Sequence, residues 1–200
     1  MNRREFLNFA ALSIFGLGLS SFDEAIASKL ETSEPMIYKR FLQFSEYVKR
    51  PKTEIIVIHH TEKLNPETNE PMDDDSSALR VHKWHIEHNG WAGIGYHYLI
   101  RKNGMIEQGR LPEMMGAHVY GYNDNSIGIC LAGNFNKGVG KPTKSQIQSV
   151  KELTSWLCRK YNISPSKQTI LGHRDLISET TCPGDNLYCH LNEIRAYCKN

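Results

Sequence analysis

The chain has no surplus of either charge: 24 Lys and Arg face 22 Asp and Glu in 200 residues, a formal net charge of +2. That excludes the strongly basic face of a nucleic-acid binder, so no nucleic-acid partner is expected. Five cysteines are too few to build a disulfide-held miniprotein, though enough for a metal site with some left over. No apolar run approaches the roughly 20 residues of a membrane-spanning helix, and the longest, Phe9 to Leu19, is about half that length. Internal repeats and low-complexity tracts are also missing. What is present is ordinary for one globular domain with short appendages, 40% hydrophobic and 23% charged. Nine histidines stand out, and their placement directs the rest of the reading.

Residues 1–27 read as an export signal. Arg3-Arg4-Glu5-Phe6-Leu7 is followed by an almost uncharged stretch and by Ala25-Ile26-Ala27, a small-x-small cleavage pattern that sets the mature start at Ser28. Paired arginines before x-Phe-Leu resemble a twin-arginine address, which is read by a receptor and delivers folded proteins across a membrane. The expected destination is the periplasm or the exterior. The processed chain is expected to be a monomer without stable membrane insertion.

Residues 28–53 form a lead-in, within which Met36–Val48 fits no single element type. The main domain spans residues 54–200. Glu54–His59 is a β-branched run that reads as a strand buried on both faces. A loop is expected over Asn65–Asp75, then a helix over Ser76–His88 with Asn89-Gly90 as its terminator. Gly95–Arg101 and Met105–Arg110 flank Lys102-Asn103-Gly104 as a hairpin. Ser126–Ala132 and Gln168–Leu171 are further strands. Thr143-x-x-Gln146 opens a helix to about Tyr161 as a capping box. A terminal helix is expected over Leu187–Cys198. Alternating strands and helices predict the α/β class: a single mixed β-sheet with helices packed on it.

Two sets of residues could bind metal. His59 ends the first strong strand, and neighbouring strand residues point to opposite faces, so His59 and His60 cannot both enter one site. His173 follows the Gln168–Leu171 strand, and Cys182 lies nine residues further on. Two imidazoles and a thiolate suit zinc and leave a fourth position for water, as a catalytic site requires. The competing set is His82, His85 and His88 on the predicted helix. Each signal taken singly is weak.

A longer pattern is more specific. Ile56-Val57-Ile58-His59-His60-Thr61, Gly90-Trp91-x-x-Ile94-Gly95-Tyr96-His97-Tyr98, Gly116-Ala117-His118-x-x-Gly121-Tyr122-Asn123, Asn125-Ser126-Ile127-Gly128-Ile129, Gly172-His173-Arg174-Asp175 and Cys182-Pro183-Gly184 occur in that order. Together they resemble the type 2 N-acetylmuramoyl-L-alanine amidases, a superfamily that includes phage lysozyme-type amidases and the peptidoglycan recognition proteins of animals. The resemblance covers about Glu54 to Tyr188.

It implies zinc as cofactor, held by His59, His173 and Cys182, with peptidoglycan or a muropeptide as substrate. The reaction implied is hydrolysis of the amide between the muramic acid lactyl group and L-alanine. Members that only bind peptidoglycan commonly lack the cysteine, so Cys182 favours catalysis. Tyr96 is implied as an oxyanion donor, and Thr180 as a residue that orients water or substrate or simply shapes the turn. His118 and Asn125 could line the sugar-peptide groove or hold loops. Cytoplasmic muropeptide-recycling relatives carry a glutamate where this chain has Cys130, which leaves the general base unassigned. Two other classes stay open: a non-catalytic peptidoglycan-binding module, and a thiol hydrolase independent of metal.

The remaining cysteines, Cys130, Cys158, Cys189 and Cys198, allow three pairings. On a continuous terminal helix Cys189 and Cys198 would stand about 13 Å apart, too far to bridge. Cys158, on the apolar face of its helix, is expected to be a buried free thiol.

Overall fold

The computed structural model describes residues 33–62 and 74–199. The export signal, the start of the lead-in and most of the Asn65–Asp75 loop lie outside the described residues. Among the described residues the strands are β1 (Ile37–Tyr38), β2 (Ile55–His60), β3 (Tyr98–Ile100), β4 (Ile106–Gln108), β5 (Ser126–Leu131) and β6 (Ile170–Gly172). The helices are α1 (Ala78–Asn89), α2 (Lys144–Tyr161), α3 (Asp185–Tyr188) and α4 (Leu191–Tyr197), with a 3-10 turn at His173–Asp175.

All six strands join one sheet in the order β1-β4-β3-β5-β2-β6. Pairing is parallel except between β3 and β4, which form the hairpin around Lys102-Asn103-Gly104. Its turn closes with Gly104 N–H donating to the Arg101 carbonyl at 2.8 Å, with Gly104 at φ +87°. Glycine reaches that conformation without Cβ strain.

β2 lies between β5 and β6 and is covered on both sides, which explains its unbroken apolar run. Ile56 and Ile58 face the larger core, where Ile127, Ile129 and Leu131 of β5 meet Ile147, Val150, Leu153 and Leu157 of α2. Leu187 and Ile194 close that layer from α3 and α4. On the opposite face Ala78 and Val81 of α1 pack with Ile94, Leu99 and Ala132. Alternation along β2 therefore turns His59 toward the α1 face and His60 toward the α2 face, where the His60 ring stacks on Phe135.

α1 begins two residues after the expected Ser76, because the Ser77 side chain caps it by accepting from Arg80 N–H, and Gly90 ends it at φ +67°, where Asn89-Gly90 was expected to. Thr143 and Gln146 form a reciprocal capping box on α2. Gln146 also donates to the Ala132 carbonyl at 2.8 Å and the Ile100 carbonyl at 3.3 Å, tying the helix start to the sheet.

The expected terminal helix over Leu187–Cys198 is two helices instead. After Tyr188 the ladder tightens, with His190 N–H donating to the Leu187 carbonyl three residues back. The chain then restarts as α4, seating Leu191 and Ile194 in the same core as Leu187.

The lead-in is drawn into the sheet. β1 pairs with β4, and Arg40 reaches the fully buried Glu107 of β4 at 2.8 and 3.0 Å. The second Glu107 oxygen accepts the Ala78 N–H at 2.6 Å, so one carboxylate fixes both the lead-in and the start of α1. Arg50, also buried, donates to the Ser126 carbonyl at 2.9 Å.

Candidate metal centre and active site

Sheet register explains how ligands far apart in sequence meet. Ile58 of β2 pairs with Gly172 of β6, so the residues that follow them, His59 and His173, emerge side by side at the carboxyl edge. Their ring centroids are 4.7 Å apart. Cys182 comes to the same place from the following loop, its Sγ 3.6 Å from His59 Nδ1. One donor atom from each of His59, His173 and Cys182 lies within 4.8 Å of the others, and this is the one such cluster of three among the described residues. Zinc–nitrogen and zinc–sulfur bond lengths place tetrahedral N and S ligands about 3.6 Å apart, so the donors fit that ion in type and spacing.

A chain of hydrogen bonds decides which His59 nitrogen faces the cluster. Ser126 Oγ donates to the Tyr122 carbonyl at 2.5 Å, because a carbonyl can only accept. Its lone pairs are then left for His118 Nε2–H, 3.3 Å away. His118 Nδ1 must therefore accept, and its partner is His59 Nε2–H at 3.0 Å. This leaves His59 Nδ1 bare and turned to Cys182. Burial lowers the pKa of both His59 and His118 well below the usual imidazole value, and neighbouring histidines add to the effect. Both rings are neutral near pH 7. His173 is lowered too, mainly by burial. Burial drives the Cys182 thiol the other way, up to about 12.

The loop holding Cys182 is clamped from several sides. Arg174 N–H donates to the Cys182 carbonyl at 2.9 Å, and the Arg174 guanidinium reaches Asp185 at 2.6 Å and the Thr181 carbonyl. Asp175 accepts from Gly172 N–H at 2.9 Å and from the Tyr188 hydroxyl at 2.5 Å. Thr180 Oγ1 accepts from Cys182 N–H at 3.1 Å, which shapes the turn that presents the sulfur.

Glu62 joins β2 to this loop. Its carboxylate lies 3.4 Å from His60 Nε2 and accepts from Asn136 at 2.6 Å and Thr181 at 3.1 Å. The His60 contact and these donors hold its pKa down at about 2. Sequence reading missed Glu62: besides His60 two residues back, its partners Asn136 and Thr181 lie 74 and 119 residues away.

Tyr96 stands over the cluster, half-buried, with its ring 5.1 Å from that of His59. Burial holds its pKa well above the usual phenol value, with the buried Cys130 adding to the effect, so it remains a proton donor. His118, read as a groove candidate, is buried and turned to His59. Asn125 is not brought to the cluster. It precedes Ser126, the partner of Ile55 at the opposite end of β2 from His59, and its side chain donates to Glu54 at 3.1 Å.

The competing histidines hold structure. His82 Nδ1 accepts from Ile94 N–H at 3.2 Å, and His85 Nδ1 accepts from Gly95 N–H at 3.0 Å. His88 stacks on Trp84. The first two thereby fix the segment that delivers Tyr96.

Residues 49–185 match the family Amidase_2, described as N-acetylmuramoyl-L-alanine amidase. The chain belongs to this family. It is 32% identical over 146 residues to an endolysin of Klebsiella phage KP32, covering 71% of this chain and 87% of that protein. It is 36% identical over 141 residues to peptidoglycan-recognition protein SC2 of Drosophila melanogaster, covering 70% of this chain and 72% of that one. Among solved structures it resembles the endolysin amidase LysCS of Clostridium intestinale, with TM-score 0.69 at 30% identity, over 84% of this chain and 98% of the other. This amidase-family chain thus has the single mixed sheet expected from its sequence, shared with an endolysin amidase structure.

Proposed function

We propose that this chain is a zinc-dependent N-acetylmuramoyl-L-alanine amidase that hydrolyses the amide between the muramic acid lactyl group and L-alanine of peptidoglycan. The observation that carries the reading is the convergence of His59 Nδ1, His173 and Cys182 Sγ at one strand edge, with a protonated tyrosine over them. Zinc bound by these residues supplies Lewis-acid polarisation of the scissile carbonyl and a nucleophile derived from water near neutral pH.

The protein's own groups divide the remaining work. His118 and Ser126 hold His59 in the tautomer that can ligate. Arg174 and Thr180 hold the Cys182 loop, and Thr180 is the residue there that would orient water or substrate. Tyr96 has a proton to donate to the oxygen that gains charge as the carbonyl is attacked. The thiol-hydrolase alternative needs a reactive thiolate, yet burial raises the pKa of both Cys182 and Cys130.

We also propose that residues 1–27 are a twin-arginine-type signal and that the mature protein acts in the periplasm or outside the cell. Processing in a strain lacking twin-arginine export tests this; unchanged secretion would sink it.

The activity is tested with purified protein and peptidoglycan fragments, with and without a zinc chelator, reading products by mass spectrometry. Release of peptides beginning at L-alanine is expected, abolished by chelation and by Cys182→Ala. Fragment binding without cleavage by the zinc-loaded protein would make it a recognition module.

A further inference from the structure

The five cysteines occupy three kinds of environment. Cys182 belongs to the metal centre, and Cys130 lies buried beside it, in contact with Tyr96. Cys189, exposed at the end of α3, points its Sγ at the Asn186 carbonyl at 3.6 Å. Cys158 and Cys198 meet each other. Cys158 projects from the last turns of α2 into the main core and is 4% exposed. Cys198 directly follows α4 and packs, half-buried, against the same cluster. Both thiols are free, and each is the other's nearest electrostatic neighbour across the packed contact of α4 on α2.

This contact is tertiary, not a neighbour effect. Forty positions separate the two cysteines, and α4 is seated on α2 by Leu191 and Ile194 and by a 3.0 Å ion pair between Lys151 and Glu193. The other pairings are poorly placed. Cys189 and Cys198 flank opposite ends of α4, about 10 Å apart along the seven-residue helix, beyond bridging range. Cys182 is committed to the metal.

We propose that Cys158 and Cys198 are a disulfide site, closed when the folded protein reaches an oxidising compartment. Occupation in the cell rests on the export reading above; the site itself does not. The oxidant is a small-molecule or protein disulfide. One thiol of the pair, as thiolate, attacks one of its sulfurs and displaces the other as thiolate. The second thiol of the pair then attacks the protein sulfur of the mixed disulfide and displaces the remaining thiol of the oxidant. Two protein S–H bonds are lost and one S–S bond forms. The oxidant takes both electrons, and its two thiolates take up the two protons.

The consequence reaches the active centre. The loop closed between Cys158 and Cys198 contains His173, Thr180 and Cys182, so the bridge restrains in the unfolded chain the segment that supplies two of three ligands. Loop-closure entropy for a loop of this length corresponds to a rise in Tm of about 10 °C.

The test uses the purified reduced full chain incubated with oxidised glutathione. Thiols are counted after denaturation by the mass added on alkylation, and linked peptides are mapped without reduction. We expect a single linkage between the peptides carrying Cys158 and Cys198, three alkylatable thiols, and a higher Tm than for Cys158→Ser or Cys198→Ser under the same oxidant. Five alkylatable thiols, or a linkage through Cys189, would overturn the site without touching the export reading. The same count on protein from cell fractions separates the two: linkage in the tube but reduced protein in every fraction would overturn export and leave the site standing.

Discussion

Cys182 is an unready ligand that only a metal can make useful. Burial holds its thiol near 12, so the metal-free protein carries a proton there at neutral pH, while the lowered pKa values of His59 and His173 leave those ligands neutral. Metal uptake as thiolate must then release one proton. The sign follows: acid stabilises the protonated, metal-free form, so apparent zinc affinity rises about tenfold per pH unit from about pH 7 to 9. Calorimetric titration in buffers of different ionisation enthalpy measures this directly, and zero proton release would mean that the thiolate forms before the metal arrives. His118 acts through its bond to His59. His118→Ala should weaken zinc binding by roughly 10–100-fold, read by competition with a chromogenic chelator. Tyr96 answers to a different readout. Tyr96→Phe keeps the ring and removes the donor, so kcat should fall about a hundredfold or more with zinc affinity and KM little changed; near wild-type turnover would remove Tyr96 from the chemistry.

At the scale of elements, Gln146 shows how a local signal takes on a tertiary task. It completes the α2 capping box and, fully buried, satisfies the Ile100 and Ala132 carbonyls. Gln146→Leu takes the side-chain donor from the buried Ala132 carbonyl, while the Ile100 carbonyl keeps the Ala132 N–H at 2.9 Å, and should cost about 1–3 kcal/mol, measured by urea unfolding. Thr143→Ala loses the cap, about 1 kcal/mol, together with the 2.7 Å bond its hydroxyl donates to the Lys102 carbonyl. Elements with a strong local code were legible: the β2 run, the Gly90 end of α1, the hairpin and the capping box. The short edge strand β1 was not, because two residues carry no periodicity and its place is set by Arg40 reaching Glu107 across 67 positions. The break at Cys189-His190 was hidden as well, since Leu187, Leu191 and Ile194 keep one helical spacing on both sides of it. The ligands were legible as residue types and by resemblance, but their meeting depends on the Ile58–Gly172 register. The roles of Glu62, Ser126 and His118 depend on hydrogen bonds that no local pattern encodes.

For the whole molecule, the centre joins parts that the sheet alone leaves loosely coupled. His59 lies near the end of β2, His173 opens the turn after the edge strand β6, and Cys182 rides on a loop held by Arg174 and Glu62. A metal there cross-links three segments that separate when the chain unfolds, so its binding free energy becomes folding free energy. Zinc at about 100 times its Kd adds about 2.7 kcal/mol, which for a domain of this size is roughly 5–10 °C in Tm. Chelation should lower Tm by that amount in differential scanning calorimetry. Cys182→Ala should melt near the chelated wild type and respond little to added zinc, because two neutral imidazoles cannot replace the thiolate. If chelation leaves wild-type melting unchanged while fragments still bind, the convergence of His59, His173 and Cys182 would serve packing rather than metal, and the zinc reading would fall.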